Sequence, residues 1–277
     1  MDERRERVLL TEAQETLLIP LVSKAIESGR PNGIFRDEKA QEIVARVDYD
    51  FERLATPRKT VVTLCIRANK LDACAREFLG AHSDGVVLHL GCGLDSRCLR
   101  VERAGADWYD LDVESVIALR RMFYREEGGY HMIASSVTDL RWVDAVRAEG
   151  RPVLVIAEGL LMYLREEEVR ALLLRLQSAF AGCELVADVF SETTARRVGA
   201  HRSLAKTGAT IHWGIDDARE IERWSPGIRL LEEWYFARAP EIARLSAGYR
   251  AAFKVAGLFA AANKAQRIVR YALGARE

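Results

Sequence analysis

The chain has 277 residues, 49% of them hydrophobic, which is enough apolar material for a large domain and excludes an intrinsically disordered protein. Its 41 basic side chains balance its 41 acidic ones, so the formal net charge is zero, and a general nucleic-acid binder with a basic excess is not expected. The charged first residues lead into no long apolar segment, so we predict no signal peptide, no membrane span and a soluble cytoplasmic protein.

The first part of the chain, residues 1–80, is predicted to be a helical lid. Hydrophobic residues keep helical spacing over residues 11–28, and helices are also predicted at Glu38–Val47 and Lys59–Leu79. This part of the chain shows no strand pattern.

From Val86 onward short apolar strands alternate with helices, which predicts an α/β fold with a doubly wound, mostly parallel sheet over residues 81–277. The predicted strands are Val86–Leu90, Asp107–Asp110, His131–Ser135, Val153–Ala157 and Glu184–Val189. The predicted helices between them are Asp95–Arg103, Glu114–Glu126, Trp142–Glu149 and Glu166–Ala181. Beyond residue 200 we predict a strand at Arg229–Ala237, one long helix at Glu241–Lys264 and a terminal strand at Ile268–Leu273. Lid and core together are expected to form a single domain.

A nucleoside-binding pattern follows the first predicted strand. The apolar run Val86–Leu90 ends in Gly91-Cys92-Gly93. Glycine accepts positive φ and has no Cβ, so such a strand end is typical of a turn at which a cofactor lies close to the backbone. Asp112 then ends the next predicted strand region, where a carboxylate can accept hydrogen bonds from ribose hydroxyls.

The residues after the glycine loop favour S-adenosylmethionine over a nicotinamide dinucleotide. Ser96 stands where the dinucleotide fingerprint has its third glycine, and Asp95 before it would repel a pyrophosphate. S-adenosylmethionine carries no phosphate, so the same carboxylate raises no conflict. An NAD-dependent oxidoreductase is the alternative.

Seven segments, in order along the chain, carry a resemblance to a known family. They are Gln14–Leu21, Ile66–Asp72, Leu90–Arg97, Asp110–Asp112, Asp139–Leu140, Ala157–Leu164 and Trp213–Asp217. Together they resemble the leucine carboxyl methyltransferase superfamily, especially its bacterial branch similar to tetracenomycin polyketide O-methyltransferases. This resemblance implies a Rossmann-like, S-adenosylmethionine-dependent methyltransferase whose C-terminal half caps the substrate site.

The resemblance also implies which residues bind the amino-acid end of the cofactor. Arg67 would hold the methionyl carboxylate, since a planar guanidinium can bind two oxygens at once. Lys24 could reach the same carboxylate from the N-terminal helix, and Gly91 and Gly93 would let the loop approach it. The alternatives are a solvated helix arginine, a surface lysine and an ordinary strand–helix turn.

Further residues would bind the rest of the cofactor. Asp112 would accept both ribose hydroxyls, with Asp110 as the competing candidate on the same strand face. Asp139 and Leu140 would contact the adenine, although Asp139 could also cap the helix that follows. Glu158 would lie beside the ammonium or sulfonium group; the alternative is a buried structural acid.

No catalytic dyad or metal site is evident in the sequence. A carboxylate acceptor, with a pKa of about 4, is ionised at neutral pH and needs no general base. A phenol, with a pKa of about 10, would need one, for which Asp188 and His212 are candidates, while Tyr163 could face the acceptor. His201 and His212 lack ligand-spaced partners and the five cysteines form no zinc pattern, so no metal is predicted.

The predicted function is therefore S-adenosylmethionine-dependent O-methylation of a carboxylate or phenol on a small, natural-product-type acceptor. Two further alternatives stay open. One is a methyltransferase acting on a protein C-terminal carboxylate, and the other is a catalytically silent cofactor-binding protein.

Overall fold

The computed structural model describes residues 12–54, 56–103, 105–199 and 210–274. Its helices are α1 Glu12–Ser28, α2 Glu38–Arg46, α3 Arg58–Ala81, α4 Arg97–Arg100, α5 Glu114–Arg120, α6 Glu166–Ala179, α7 Glu192–Gly199, α8 Ala247–Gly257 and α9 Ala260–Ala265. Its strands are β1 Val86–Leu90, β2 Asp107–Asp112, β3 Tyr130–Ala134, β4 Val153–Ala157, β5 Cys183–Phe190, β6 Ile228–Tyr235 and β7 Gln266–Leu273. Short 3-10 helices lie at Phe51–Leu54, Leu140–Ala145, Leu161–Tyr163, Ala218–Trp224, Phe236–Arg238 and Pro240–Arg244.

The seven strands form one sheet in the order β3-β2-β1-β4-β5-β7-β6. Strands β1 to β5 are parallel, whereas β7 runs antiparallel to both of its neighbours, β5 and β6. Every residue of β1 and β4 is buried, as expected for strands covered on both faces. The strand order reverses between β1 and β4, and doubly wound sheets bind ligands at the carboxyl ends of such a pair. The predicted doubly wound, mostly parallel sheet is confirmed.

Side chains alternate between two faces of the sheet, and each face has its own hydrophobic cluster. Val86, Leu88 and Leu90 of β1 pack in the cluster that includes α6, whereas Val87 packs in the cluster that includes α1, α2 and α3. The N-terminal helices thus share a core with the sheet, and the division into a lid and a core stays a prediction. Across the described residues, no helix combines the length and the apolar character needed to cross a lipid bilayer.

Some of the predicted helices are wrong in length or type. Helix α4 covers only four residues of the predicted Asp95–Arg103, because Val101 takes an extended conformation after it. The predicted helix at Trp142–Glu149 is instead a 3-10 helix at Leu140–Ala145. Helix α5 ends at Arg120, six residues before the predicted end at Glu126.

The predicted long helix at Glu241–Lys264 is wrong as well. A 3-10 helix, α8 and α9 replace it, and the first break falls at Leu245. The Leu245 side chain is buried in a cluster with Phe236 and α3, so the chain turns inward there rather than continuing as a helix. Helix α7 and the 3-10 helix at Ala218–Trp224 are additional elements that the sequence did not indicate.

Candidate functional site

A cavity of about 530 Å³ opens at the carboxyl ends of β1 and β4. This volume is typical of small-molecule pockets. Helices α1 and α3 form one wall, and the loops after β1, β2 and β4 form the other. Its polar lining comes from Lys24, Asp37, Arg67, His89, Asp95, Asp112, Glu158 and Tyr163.

The glycine loop forms the floor of this cavity. Gly91 and Gly93 have φ of 62° and 52°, in the left-handed region that disfavours residues with a Cβ. A Cβ on Gly91 would also lie 3.0 Å from Leu160 Cδ1. Both glycines line the cavity, so the loop presents bare backbone to it.

The Asp112 carboxylate lies at the end of β2 and faces the cavity. Its Oδ2 accepts a hydrogen bond from Gly93 N at 2.8 Å, and its Oδ1 accepts one from Val113 N at 2.8 Å. A carboxylate oxygen has two lone pairs, so each oxygen can accept a further hydrogen bond from the cavity side. Burial raises the pKa of Asp112 despite these backbone hydrogen bonds.

Asp110, the competing candidate for the ribose, has a different position. It is fully buried below the cavity, where its carboxylate accepts hydrogen bonds from Trp108 Nε1 at 2.8 Å and Tyr130 OH at 2.7 Å and pairs with the guanidinium of Arg120. These partners occupy both oxygens. Of the two aspartates, only Asp112 lines the cavity.

Arg67 of α3 and Glu158 at the end of β4 meet at the opposite side of the cavity. Arg67 Nε donates to Glu158 Oε1 at 3.0 Å, and Arg67 Nη1 donates to Asp188 Oδ2 at 2.9 Å. Arg67 Nη2 has no hydrogen-bond partner in the described parts of the chain. The guanidinium is therefore fixed by two carboxylates and keeps donors for a ligand.

Lys24 reaches the same region from α1. Its side chain is 2% exposed, its Nζ contacts Asp95 Oδ2, and it lies 4.0 Å from Glu158 Oε1. Burial alone would raise the pKa of Asp95, but Arg100, Lys24 and Arg97 hold it well below its usual range. Lys24 is thus a buried partner of two acids and not a surface lysine.

Arg97 and Arg100 also contact the acids of the cavity, a role that was not predicted from the sequence. Arg97 is the last residue of the matching segment Leu90–Arg97. Arg97 is fully buried; its Nη2 donates to Glu158 Oε2 at 2.5 Å and its Nε to Asp72 Oδ1 at 2.7 Å. Arg100 contacts Asp95 Oδ1 at 2.9 Å. These arginines hold the cavity acids from below. No local sequence signal marks such contacts between distant residues.

The lining of the cavity has two cationic side chains, Lys24 and Arg67, and the four carboxylates of Asp37, Asp95, Asp112 and Glu158. Arg97 and Arg100, just outside the lining, pair with Glu158, Asp37 and Asp95. Asp112 is therefore the lining carboxylate that forms no ion pair within the described residues. Burial alone would raise the pKa of Glu158, but Lys24, Arg67 and Arg97 lower it far enough to keep the carboxylate ionised.

Four of the predicted site residues, Asp139, Leu140, Asp188 and His212, do not line the cavity. Asp139 accepts a hydrogen bond from Arg141 N at the start of a 3-10 helix and pairs with the Arg141 guanidinium. Leu140 packs against the hydrophobic cluster on the α6 face, and His212 is exposed. Asp139 thus caps a helix, which was its alternative role. The adenine contact predicted for Asp139 and Leu140, and a catalytic role for His212, remain predictions.

Part of the cavity lining is apolar. Its larger side chains include Ile19, Leu64, Met162, Phe190, Val198 and Ile211, and Tyr163 adds an aromatic ring. Burial raises the pKa of Tyr163, so the phenol is a neutral donor at neutral pH. Asp188 lies behind Arg67 and is fully buried; its Oδ1 accepts from Gly159 N at 2.6 Å and its Oδ2 from Gln266 Nε2 at 3.0 Å.

The fold of this chain is also found in a solved structure. A crystal structure of a methyltransferase candidate from Thermobifida fusca superposes with a TM-score of 0.61 at 16% identity, covering 93% of this chain and 95% of that one. At that identity the likeness shows the fold alone. The seven-stranded sheet with its flanking helices is the fold of the Rossmann-like methyltransferases.

Sequence relatives give the family. A family model described as leucine carboxyl methyltransferase matches residues 18–177. Tetracenomycin polyketide synthesis O-methyltransferase TcmP of Streptomyces glaucescens is 41% identical over 239 residues, 86% of this chain and 88% of that protein. S-adenosyl-L-methionine-dependent methyltransferase dpfgK of Gibberella zeae is 31% identical over 250 residues, 83% of this chain and 84% of that protein. The chain belongs to the leucine carboxyl methyltransferase family and is a methyltransferase, as the resemblance implied.

Proposed function

We propose that the protein transfers a methyl group from S-adenosylmethionine to a carboxylate oxygen of a small, largely apolar acceptor. The observation that carries this proposal is the cavity over the glycine loop, with the Asp112 carboxylate at one end and the ion pairs of Arg67 and Glu158 at the other. The relatives named as S-adenosyl-L-methionine-dependent enzymes support the same cofactor.

The residues of the cavity fit this cofactor. Asp112 has an acceptor lone pair free on each oxygen, which matches the paired hydroxyls of a ribose. Gly91 and Gly93 line the cavity without a Cβ, so a ligand can lie close to the backbone of the loop. The lining carboxylates of Asp95 and Glu158 suit a ligand with a sulfonium and an ammonium group. When bound, S-adenosylmethionine supplies the electrophilic methyl group.

Arg67 and Lys24 would bind the carboxylate of the cofactor. Both cations are already fixed, Arg67 by Glu158 and Asp188 and Lys24 by Asp95, so neither has to be ordered on binding. Glu158 then lies beside these cations and balances their charge. The arrangement favours a zwitterionic amino-acid group over a simple anion.

The acceptor is inferred from the apolar wall and from the state of the acids. Three cations lower the pKa of Glu158, which makes this carboxylate a weak proton acceptor. Both Asp188 oxygens already accept hydrogen bonds, so Asp188 is a poor general base as well. A carboxylate acceptor, with a pKa of about 4, needs no base, and the enzyme then has only to exclude water and align the reactants. The apolar wall, Leu64 and Phe190 included, would cover a hydrocarbon or aromatic body.

A labelled methyl-transfer assay tests this function. The protein is incubated with methyl-labelled S-adenosylmethionine and a panel of aromatic carboxylic acids, phenols and peptides that end in a leucine carboxylate. We expect a base-labile labelled product, an ester, from at least one small acid. A base-stable labelled ether would show that the acceptor is a phenol and would contradict the carboxylate acceptor. Transfer to the peptides alone would instead show a protein C-terminal carboxyl methyltransferase and contradict the small acceptor.

A further inference from the structure

A second cavity, of about 400 Å³, lies between the loop after α1, helix α3 and the 3-10 helix Pro240–Arg244. It shares no lining residue with the first cavity. Four arginines line it: Arg36, Arg76, Arg100 and Arg244. Its only acidic lining residue is Asp72.

Arg100 and Asp72 neutralise each other. Arg100 Nε donates to Asp72 Oδ2 at 2.9 Å, and Arg100 also pairs with Asp37 and Asp95. Arg97 Nε also donates to Asp72, to its Oδ1 at 2.7 Å. The carboxylate of this cavity is therefore already paired with Arg97 and Arg100.

The other three arginines keep their charge largely unpaired. Arg36 donates to two backbone carbonyls, Ser28 O and Pro31 O. Arg244 Nη2 donates to Gly33 O at 2.6 Å. Neither Arg36 nor Arg244 contacts a carboxylate in the part of the chain that the structure describes. Arg76 forms an ion pair with Asp72 at 3.8 Å, but it shares this carboxylate with Arg97 and Arg100.

The contacts with backbone carbonyls fix these guanidinium groups in place. Arg244 and Asn69, which donates to Ile34 O at 2.9 Å, both hold the loop after α1 against the rest of the protein. A carbonyl orients a guanidinium but does not cancel its charge, so the positive potential in the concave space is preserved. Most of the donors on Arg36, Arg76 and Arg244 remain available to a ligand.

We propose that this second cavity binds a doubly charged oxyanion of the phosphate class, free or as a phosphate ester. Three guanidinium groups match a group with three exposed oxygens and up to two negative charges. A single carboxylate offers one charge and two oxygens, and would leave one guanidinium without a partner. The site is independent of the methyl-transfer proposal because neither Arg36 nor Arg244 touches the first cavity.

Calorimetry with inorganic phosphate, phenyl phosphate and succinate at low salt tests the site on the full chain. We expect saturable one-site binding of a phosphate probe, weakened at least fivefold by Arg36→Gln or Arg244→Gln. Arg219→Gln is the matched control, since this exposed arginine lies on a different 3-10 helix and pairs with Glu222. Tighter binding of phenyl phosphate than of inorganic phosphate would identify an ester, and the reverse would identify the free anion.

The same titrations define what overturns the site. Absence of saturable phosphate binding, or equal affinity in the wild type and in the Arg36→Gln and Arg244→Gln variants, would refute it. Succinate binding as tightly as phosphate would refute the phosphate class. Unchanged affinity of the two variants for S-adenosylmethionine, measured in parallel, checks that they are folded.

Discussion

Replacing Asp112 by asparagine tests the cofactor site at its best-defined contact. The substitution keeps the size of the side chain but removes its charge and turns one acceptor oxygen into a donor NH2. In the structure each Asp112 oxygen accepts a backbone hydrogen bond, one from Gly93 N and one from Val113 N. The new NH2 group must therefore face a backbone N–H donor in either orientation of the amide, and neither ribose hydroxyl then has a charged acceptor.

The size of the effect follows from the bonds that are lost. A hydrogen bond to a charged group contributes about 1.5–3 kcal/mol, and one between neutral groups about 1 kcal/mol. With asparagine both ribose contacts become hydrogen bonds between neutral groups, each weaker by about 0.5–2 kcal/mol, so we expect a loss of about 2 kcal/mol in binding. That corresponds to an S-adenosylmethionine Kd increased about 30-fold.

The assay is calorimetric titration of the wild type and Asp112→Asn with S-adenosylmethionine, after the folding of both has been checked by thermal denaturation. Asp107→Asn is the matched control, because Asp107 lies at the other end of β2 and pairs with Arg151 away from the cavity. We expect the control to bind within twofold of the wild type. An Asp112→Asn Kd within threefold of the wild type, or an equal loss in the control, would refute the assignment of Asp112 to the ribose.

Three other substitutions test the surroundings of the site. Gly91→Ala places a Cβ at positive φ and 3.0 Å from Leu160 Cδ1, so it should lower the free energy of unfolding in urea by about 1–2 kcal/mol. Gly248→Ala is the control, because a Cβ there has nothing within 4 Å and should not destabilise the protein. Equal stabilities of the two variants would contradict the strained glycine loop. Glu158→Gln removes the charge shared by Arg67 and Arg97 and should weaken S-adenosylmethionine binding at least tenfold by calorimetry; unchanged affinity would make Glu158 a purely structural acid. Asp110→Asn leaves buried Arg120 unpaired and should lower the free energy of unfolding by about 3–5 kcal/mol at pH 7. Burial alone would raise the pKa of Asp110, but the charge of Arg120 and hydrogen bonds lower it to about 2, so this stabilisation is complete above the unfolded pKa of about 3.9 and is lost as the pH falls toward 2. If the free energy of unfolding of Asp110→Asn falls as much as that of the wild type between pH 5 and pH 2, the ionisation of Asp110 is not the source of this stabilisation.

The sheet was largely predictable because its signal is local. Strands β1 and β4 match the predicted bounds at both ends, since each is an apolar run whose residues are all buried. The C-terminal helices were not predictable in the same way. The alanine-rich sequence favours one helix, but the chain breaks at Leu245, whose burial beside Phe236 depends on a contact with distant α3.

The candidate site also contains residues that could be predicted from the sequence and residues that could not. The positions of Gly91, Asp112 and Glu158 follow from the rule that strand ends at a switch in strand order meet, and the structure brings all three to one cavity. The role of Arg97 could not be read in advance, because its carboxylate partner Glu158 lies 61 positions further along the chain. Periodicity and spacing carry no information on such a pair.

The antiparallel strand β7 has a consequence for when the enzyme can become active. It is the last of the seven strands in sequence, yet it lies between β5 and β6, and its Gln266 donates to Asp188 behind Arg67. A ribosome-bound chain therefore cannot complete the sheet, or the support of that arginine, until the residues of β7 have emerged. Loss of β7 would leave β6 without a pairing partner in the sheet, so nascent and truncated chains are expected to lack catalytic competence even with every cofactor contact already synthesised.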